Sequence, residues 1–143
     1  MFKRILVAVD GSDASQKAVD WAIKTHRELP EAEITICYVH QPQVTVIPGG
    51  GVYIPVAYET TGTEVPEHTP ASEAYNKFPD KQRVNQVTKV GYPAEEVCRM
   101  AEQEHYDVIV LGAEGHGLVS SVLLGSVSAK VLHQAKSAVL IIR

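Results

Sequence analysis

The chain has 143 residues, of which 45% are hydrophobic and 21% charged. That is the size and composition of one globular domain able to build its own core. A formal net charge of −4 gives no global attraction to nucleic acid, and no apolar run approaches the length of a bilayer span. The opening Met1-Phe2-Lys3-Arg4 is charged, but the apolar segment behind it ends at Asp10, too short for the core of an export signal. The cytoplasm is therefore the expected compartment. Cys37 and Cys98 are the only cysteines; they are read as free thiols, with Cys37 in the core, and no metal site is expected. Between Arg27 and Lys77 there is no Lys or Arg, while Glu28, Glu31, Glu33, Glu59, Glu64, Glu67 and Glu73 fall in that stretch. A solvated acidic surface explains it, a docking face for a basic partner being the sharper alternative.

Arg4 to Asp10 is an apolar run closed by Asp10-Gly11-Ser12. A strand buried on both faces reads this way. Ser12 offers an N-cap. Ala18, Val19, Ala22, Ile23 and Leu29 then recur on one helical face, carrying Trp21 as a half-buried anchor, until Pro30 ends the helix. Ile34 to Val39 is β-branched and aromatic, a second buried strand.

From Gln41 to Pro70 the regular pattern fails in a segment rich in Pro, Gly and Glu. Val44–Ile47 and Val52–Ile54 are able to pair as a small hairpin around Gly49-Gly50-Gly51. Otherwise it is a long loop, of the kind that in small domains serves as a lid or stays disordered. Ala71–Lys77 has room for two helical turns before Pro79.

Val84–Val90 reads as a third strand. Pro93 sits at a helix start, with Ala94, Val97, Cys98 and Ala101 on one face and Glu95 and Glu96 in the first turn. Asp107–Gly112 is a fourth strand, 126–135 a helix and Ala138–Ile142 a fifth strand. His105 and His133 are read as helix residues at the surface or between layers, and His40 as a rim residue. Strands apolar on both faces, alternating with helices, give a three-layer α/β/α sandwich around a parallel sheet in a single domain, 1–143.

In such sheets ligands bind beyond the carboxyl ends of the strands. Two segments there carry suitable chemistry: Asp10-Gly11-Ser12, and Gly112-Ala113-Glu114-Gly115-His116-Gly117 with the later Gly125-Ser126-Val127. Glycines let a backbone approach a ligand, and the free N–H groups of a helix start attract phosphate. Ser126 adds a hydroxyl that could contact the ligand or cap its own helix. Neither G-x-x-x-x-G-K-[ST] nor G-x-G-x-x-G is present.

What fits is Gly112-x2-Gly115-x9-Gly125-Ser126, beside an opening Val7-Ala8-Val9-Asp10-Gly11-Ser12 and a close running from Leu123 through Gly125 to Arg143. In these motifs the chain resembles the universal stress protein family, in its nucleotide-binding branch, over 1–40 and 84–143. The resemblance implies an adenine nucleotide alpha-hydrolase-like fold with strand order 3-2-1-4-5. It also implies a homodimer paired through the final strand, 138–142. The implied ligand is ATP or AMP, with Mg²⁺ able to accompany the phosphates. By position, Ala8, Val9 and Asp10 line the base and ribose pocket, the Val39 backbone reads the adenine edge, and Leu111 and Gly112 pack by the ribose. Gly115, Gly125, Ser126 and Val127 hold phosphates, with His116 beside them.

Three features depart from the family pattern. Glu114 lies inside the phosphate loop. Ser120-Ser121 stand where basic residues are common. The Pro/Gly-rich segment mostly replaces the helix between the second and third strands. The reading that follows is a stress-response protein that binds an adenine nucleotide and regulates rather than catalyses, with no catalytic residue. The alternative is a dimeric interaction or chaperone-like module with a vestigial pocket. Hydrolysis is disfavoured, because the glycine loop has no Lys or Arg and there is no carboxylate pair for Mg²⁺.

Overall fold

The computed structural model describes residues 1–42, 45–53, 67–113 and 124–143. The first strand, β1 (Arg4–Val9), has Ile5, Leu6 and Val7 wholly buried, as a run without polar alternation requires. Asp10 leaves the strand, and Gly11 turns the chain at φ +82°. Helix α1 (Asp13–Glu28) begins where the Ser12 side chain accepts the Ser15 N–H at 3.2 Å. Its inner stripe of Ala18, Val19 and Ala22 is fully buried, with Trp21, Ile23 and Leu29 packed around it. Strand β2 (Glu33–His40) lies parallel to β1, pairing Ile5 with Ile34 and Val9 with Tyr38.

Strands β3 (Thr45–Ile47) and β4 (Gly51–Tyr53) form the anticipated antiparallel hairpin as a small sheet of their own. Gly49 and Gly50 turn it at φ +116° and +91°, values that glycine adopts without a Cβ penalty. The helix expected to be mostly lost is present. In α2 (Pro70–Lys77), Thr69 and Ser72 close a capping box and Pro70 starts the first turn. Ala71 and Ala74 are fully buried with Phe78 just beyond them, so the helix keeps its place on the sheet. The segment lengthens the connection without deleting the element.

Strand β5 (Val84–Val90) pairs with β2, and α3 (Pro93–Gln103) follows with Pro93 at its start. His105 is not in that helix. It sits in the turn beyond it, at φ +57°, whereas His133 is exposed on α4 (Ser126–Gln134). Strand β6 (Val108–Gly112) is buried throughout, and β7 (Ala138–Ile142) pairs beside it. The five-stranded sheet has order β5-β2-β1-β6-β7 with parallel pairing, the 3-2-1-4-5 order. Alternate side chains divide the core into two layers. Ile5, Val7, Ile34, Ile36 and Val110 meet α1 and α2. Leu6, Cys37, Ile109 and Leu111 meet α3 and α4, with Val97 and Val131 among the contacts.

Asp107 is not the first residue of β6 but a clip in front of it. Its Oδ2 accepts the Lys3 and Arg4 N–H groups at 2.7 and 2.8 Å, which fixes the start of β1 against the start of β6. Beside it the Arg4 guanidinium lies 4.7 Å from the centre of the Tyr106 ring. The Tyr106 hydroxyl donates to Thr35 Oγ1 at 2.9 Å. The Arg4 and Lys3 N–H bonds hold the Asp107 carboxyl below the ordinary aspartate value. A carboxyl depressed in the folded state contributes stability above its unfolded pKa and loses it as pH falls through the folded one. The stability difference between the wild type and Asp107→Ala should therefore be constant near neutrality and shrink below about pH 4. Denaturant midpoints measured across that range check it; a difference independent of pH would show that the clip does not depend on charge.

Candidate functional site

The carboxyl ends of β1, β2 and β6 and the start of α4 surround one cavity of about 570 Å³, a size that suits a small organic ligand. Its position follows from the sheet order. The chain leaves β1 for β2 on one side, while β6 is added on the other, so the loops beyond β1 and β6 diverge and leave a crevice.

From β1 the cavity is lined by Ala8, Val9 and Asp10, from β2 by Val39 and from β6 by Leu111 and Gly112. Gly125, Ser126 and Val127 line it from the start of α4. All of these were singled out from sequence, and the fold brings them together. Gly115 and His116 lie outside the described residues, as do Glu114 and Ser120-Ser121. Cys37, Tyr38, His40, Gln41, Pro93, Val97, Ser15 and Ser128 line the same space. Of these, sequence reasoning had placed only His40 at a rim. The others carry no motif; they are core and turn residues whose strand and helix ends happen to meet there.

The two ends of the cavity differ chemically. Cys37, Val39, Pro93, Val97 and Leu111 make an apolar wall that accepts a flat ring. The Cys37 thiol is pushed up to about 12, chiefly by burial, so at neutral pH it is a small neutral wall group and not a nucleophile or metal ligand. Cys37 and His40 have a spacing seen in metal sites, but a strand turns residues three apart to opposite faces. Accordingly Cys37 packs with the α3 layer, while His40 pairs edge-on with Tyr38 at a ring separation of 6.2 Å. No group of three metal-ligating side chains occurs among the described residues.

The polar end is built from Asp10 and the α4 start. Asp10 Oδ1 accepts the Ser12 N–H at 2.9 Å, so the residue shapes the turn as well as lining the cavity. Ser126 does not cap its helix. The N-cap is Gly125, which has no side chain to serve, and Ser126 is the first helical residue, exposed. The reason is the route of the chain: the Gly125 N–H is bonded to the Ala113 carbonyl at 2.8 Å, which fixes the entry one residue earlier. N–H groups in a first turn have no intrahelical carbonyl to bond, and those at this helix start border the cavity.

Gly112 serves packing more directly than ligand contact. A Cβ placed on it would stand 2.5 Å from both the carbonyl carbon and the oxygen of Ala14, and 2.8 Å from its Cβ. The first turn of α1 therefore rests on the end of β6 only because residue 112 has no side chain. The Gly112 carbonyl in turn accepts the buried Ser128 hydroxyl at 2.7 Å, tying α4 to the same point.

Comparison with known proteins fits this geometry. The sequence profile of the Universal stress protein family matches residues 1–143. The universal stress protein YxiE of Bacillus subtilis is 33% identical over the whole of both chains. Among solved structures, universal stress protein UspA from Lactobacillus plantarum is 26% identical. It covers 99% of this chain and 98% of its own, with a TM-score of 0.66. A universal stress protein in complex with cAMP superposes with a TM-score of 0.70 at 23% identity, covering 99% of this chain and 97% of its own.

Gly112→Ala should cost about 1–3 kcal/mol, the range for forcing a methyl into a packed site. Urea denaturation of the pure variant measures it. A cost of a few tenths would mean that α1 moves away freely and that the contact does not set the cavity.

Proposed function

This chain belongs to the universal stress protein family, and from that premise we propose that it is a stress-response protein that binds ATP or a related adenine nucleotide in the cavity between β1 and β6. The observation that carries the reading is the meeting of an apolar slot with a helix start in one cavity of about 570 Å³. The base lies against Cys37, Val39 and Val97, with the Val39 backbone at its edge, and the ribose lies by Asp10 and Leu111. The phosphates face Gly125, Ser126 and Val127, with Gly115 and His116 of the same sequence motif completing that end. Binding of cAMP by the similarly folded protein supports an adenine ligand here.

The role is regulatory rather than catalytic. Phosphoryl transfer needs charge neutralisation and a positioned nucleophile, and the described lining residues include no Lys or Arg. Mg²⁺, where present, would arrive with the nucleotide. The two thiols are free, which suits work in the cytoplasm.

The second element of the proposal is a homodimer through β7. This strand ends the sheet next to β6, and Val139, Leu140, Ile141 and Ile142 are only partly buried in the single chain. An apolar edge of this kind invites pairing, and a two-fold antiparallel match covers both copies at once.

Millimolar ATP, ADP or AMP should raise the melting temperature through mass action on the native state. Ser126→Asp, at an exposed position, should remove most of that gain by placing a negative charge at the phosphate end while leaving the unliganded melting temperature near that of the wild type. No shift with any of the three nucleotides would overturn the binding reading in favour of an interaction module with a vestigial pocket. For the assembly, light scattering at micromolar concentration should give twice the mass of one chain. A monomer there counts against pairing through β7.

A further inference from the structure

We infer that Tyr92 is a ligand-contacting residue of the cavity: when the site is filled, its ring closes over the base end of the apolar slot and stacks on the bound base. This rests on the adenine-nucleotide reading above and adds to it a residue that neither the sequence motifs nor the cavity lining includes.

The turn between β5 and α3 holds Tyr92 at the rim from both sides. The Gly91 N–H donates to the His40 carbonyl at 2.9 Å. His40 lines the cavity, and so does Pro93 on the other side of Tyr92. The Tyr92 carbonyl accepts the Glu96 N–H at 3.0 Å. A Cβ on Gly91, whose φ is +150°, would stand 2.9 Å from Glu96 Cγ, so the turn is closely packed as well as hydrogen-bonded. The backbone of residue 92 is thus fixed at the rim, while its side chain is 59% exposed and belongs to neither core layer.

The helix does not ask for a tyrosine there. Position 92 is the N-cap of α3, and its side chain makes no capping bond, whereas Ser12 and Thr69 cap α1 and α2. Ser, Thr, Asp or Asn would hold the helix start better. An exposed ring at a capping position, flanked by residues that contact the cavity, breaks a local rule at the edge of a site, where function accounts for such breaks. The ring also supplies what the slot lacks. The wall of Cys37, Val39, Pro93, Val97 and Leu111 has no aromatic face, and the aromatic rings of the described lining, Tyr38 and His40, are set edge-on to each other. A tyrosine adds a broad flat surface with few rotatable bonds to fix, and a base stacks on it whatever phosphates it carries.

Calorimetric titration of the full chain with adenosine and with AMP tests this. Tyr92→Ala should weaken both ligands about fivefold or more, and by the same factor, because the lost contact is to the base. Tyr92→Phe keeps the ring and should restore most of the affinity. Tyr92→Ser should bind as weakly as Tyr92→Ala, yet without ligand it should melt at or above the wild-type temperature, because serine provides the missing cap. Tyrosine nitration read by mass spectrometry should be rapid at Tyr92 in the free wild type and slowed several-fold by saturating adenosine. Wild-type binding of adenosine that none of the three substitutions changes overturns the inference and leaves the adenine reading standing. A loss confined to AMP overturns it too, since the ring would then act at the phosphate end. So does a Tyr92→Ser chain that melts lower than the wild type but binds equally well, which would make Tyr92 a structural residue. Absence of wild-type binding by both ligands overturns the adenine reading and this inference with it.

Discussion

The contact between the first turn of α1 and the last residue of β6 holds the cavity in place. With 2.5 Å between a notional Cβ of Gly112 and the Ala14 backbone, the two elements meet closer than any side chain permits. That approach sets Asp10 and Ser15 on one side of the crevice and Gly112 on the other. The Ser128 hydroxyl then ties α4 to the Gly112 carbonyl, and the Ala113 N–H bonds to the Ile142 carbonyl of β7 at 2.8 Å. Gly112 thus joins a helix from each layer, and Ala113 beside it ties the outer strand.

The opposite end of the sheet is built differently. There Asp107 collects two backbone N–H groups from the start of β1, and Tyr106 spans to Thr35 of β2 through its hydroxyl. Polar clips at the amino ends and close backbone packing at the carboxyl ends hold β1 between its neighbours. The crevice lies beyond the carboxyl ends, which is where an open parallel sheet admits a ligand.

Electrostatics give the cavity its character. Burial keeps the Cys37 thiol neutral, so the apolar wall contributes shape and dispersion rather than charge. The polar end relies on backbone N–H groups whose orientation is fixed by the fold and which need no reorganisation when a ligand arrives. The described lining residues include no Lys or Arg, and this sets the cavity apart from phosphate sites that carry a lysine in the loop.

The amino-acid sequence by itself determined the five strands, the helices between them and the parallel sheet, because uninterrupted apolar runs such as Ile5 to Val9 are stable only when covered on both faces. It also marked Asp10, Gly112 and Gly125-Ser126, since a strand end, glycines and a helix start are written in local residue types and in a fixed spacing, while Val39 entered only through the family resemblance. Only the tertiary structure decided that Cys37, Pro93 and Val97 share a cavity with them, because those residues are ordinary core and turn residues until three strand ends converge. It also decided that Gly112 serves a helix contact, since Ala14, against which a side chain there would clash, lies far from it in the chain. The cap of α4 fell to Gly125 rather than Ser126 for the same reason: a hydrogen bond to Ala113 fixes the path into the helix, and the local sequence carries no trace of that partner. The helix α2 survived its Pro/Gly-rich surroundings because Thr69 and Ser72 cap it locally while burial of Ala71, Ala74 and Phe78 against the sheet supplies what a two-turn helix cannot provide alone.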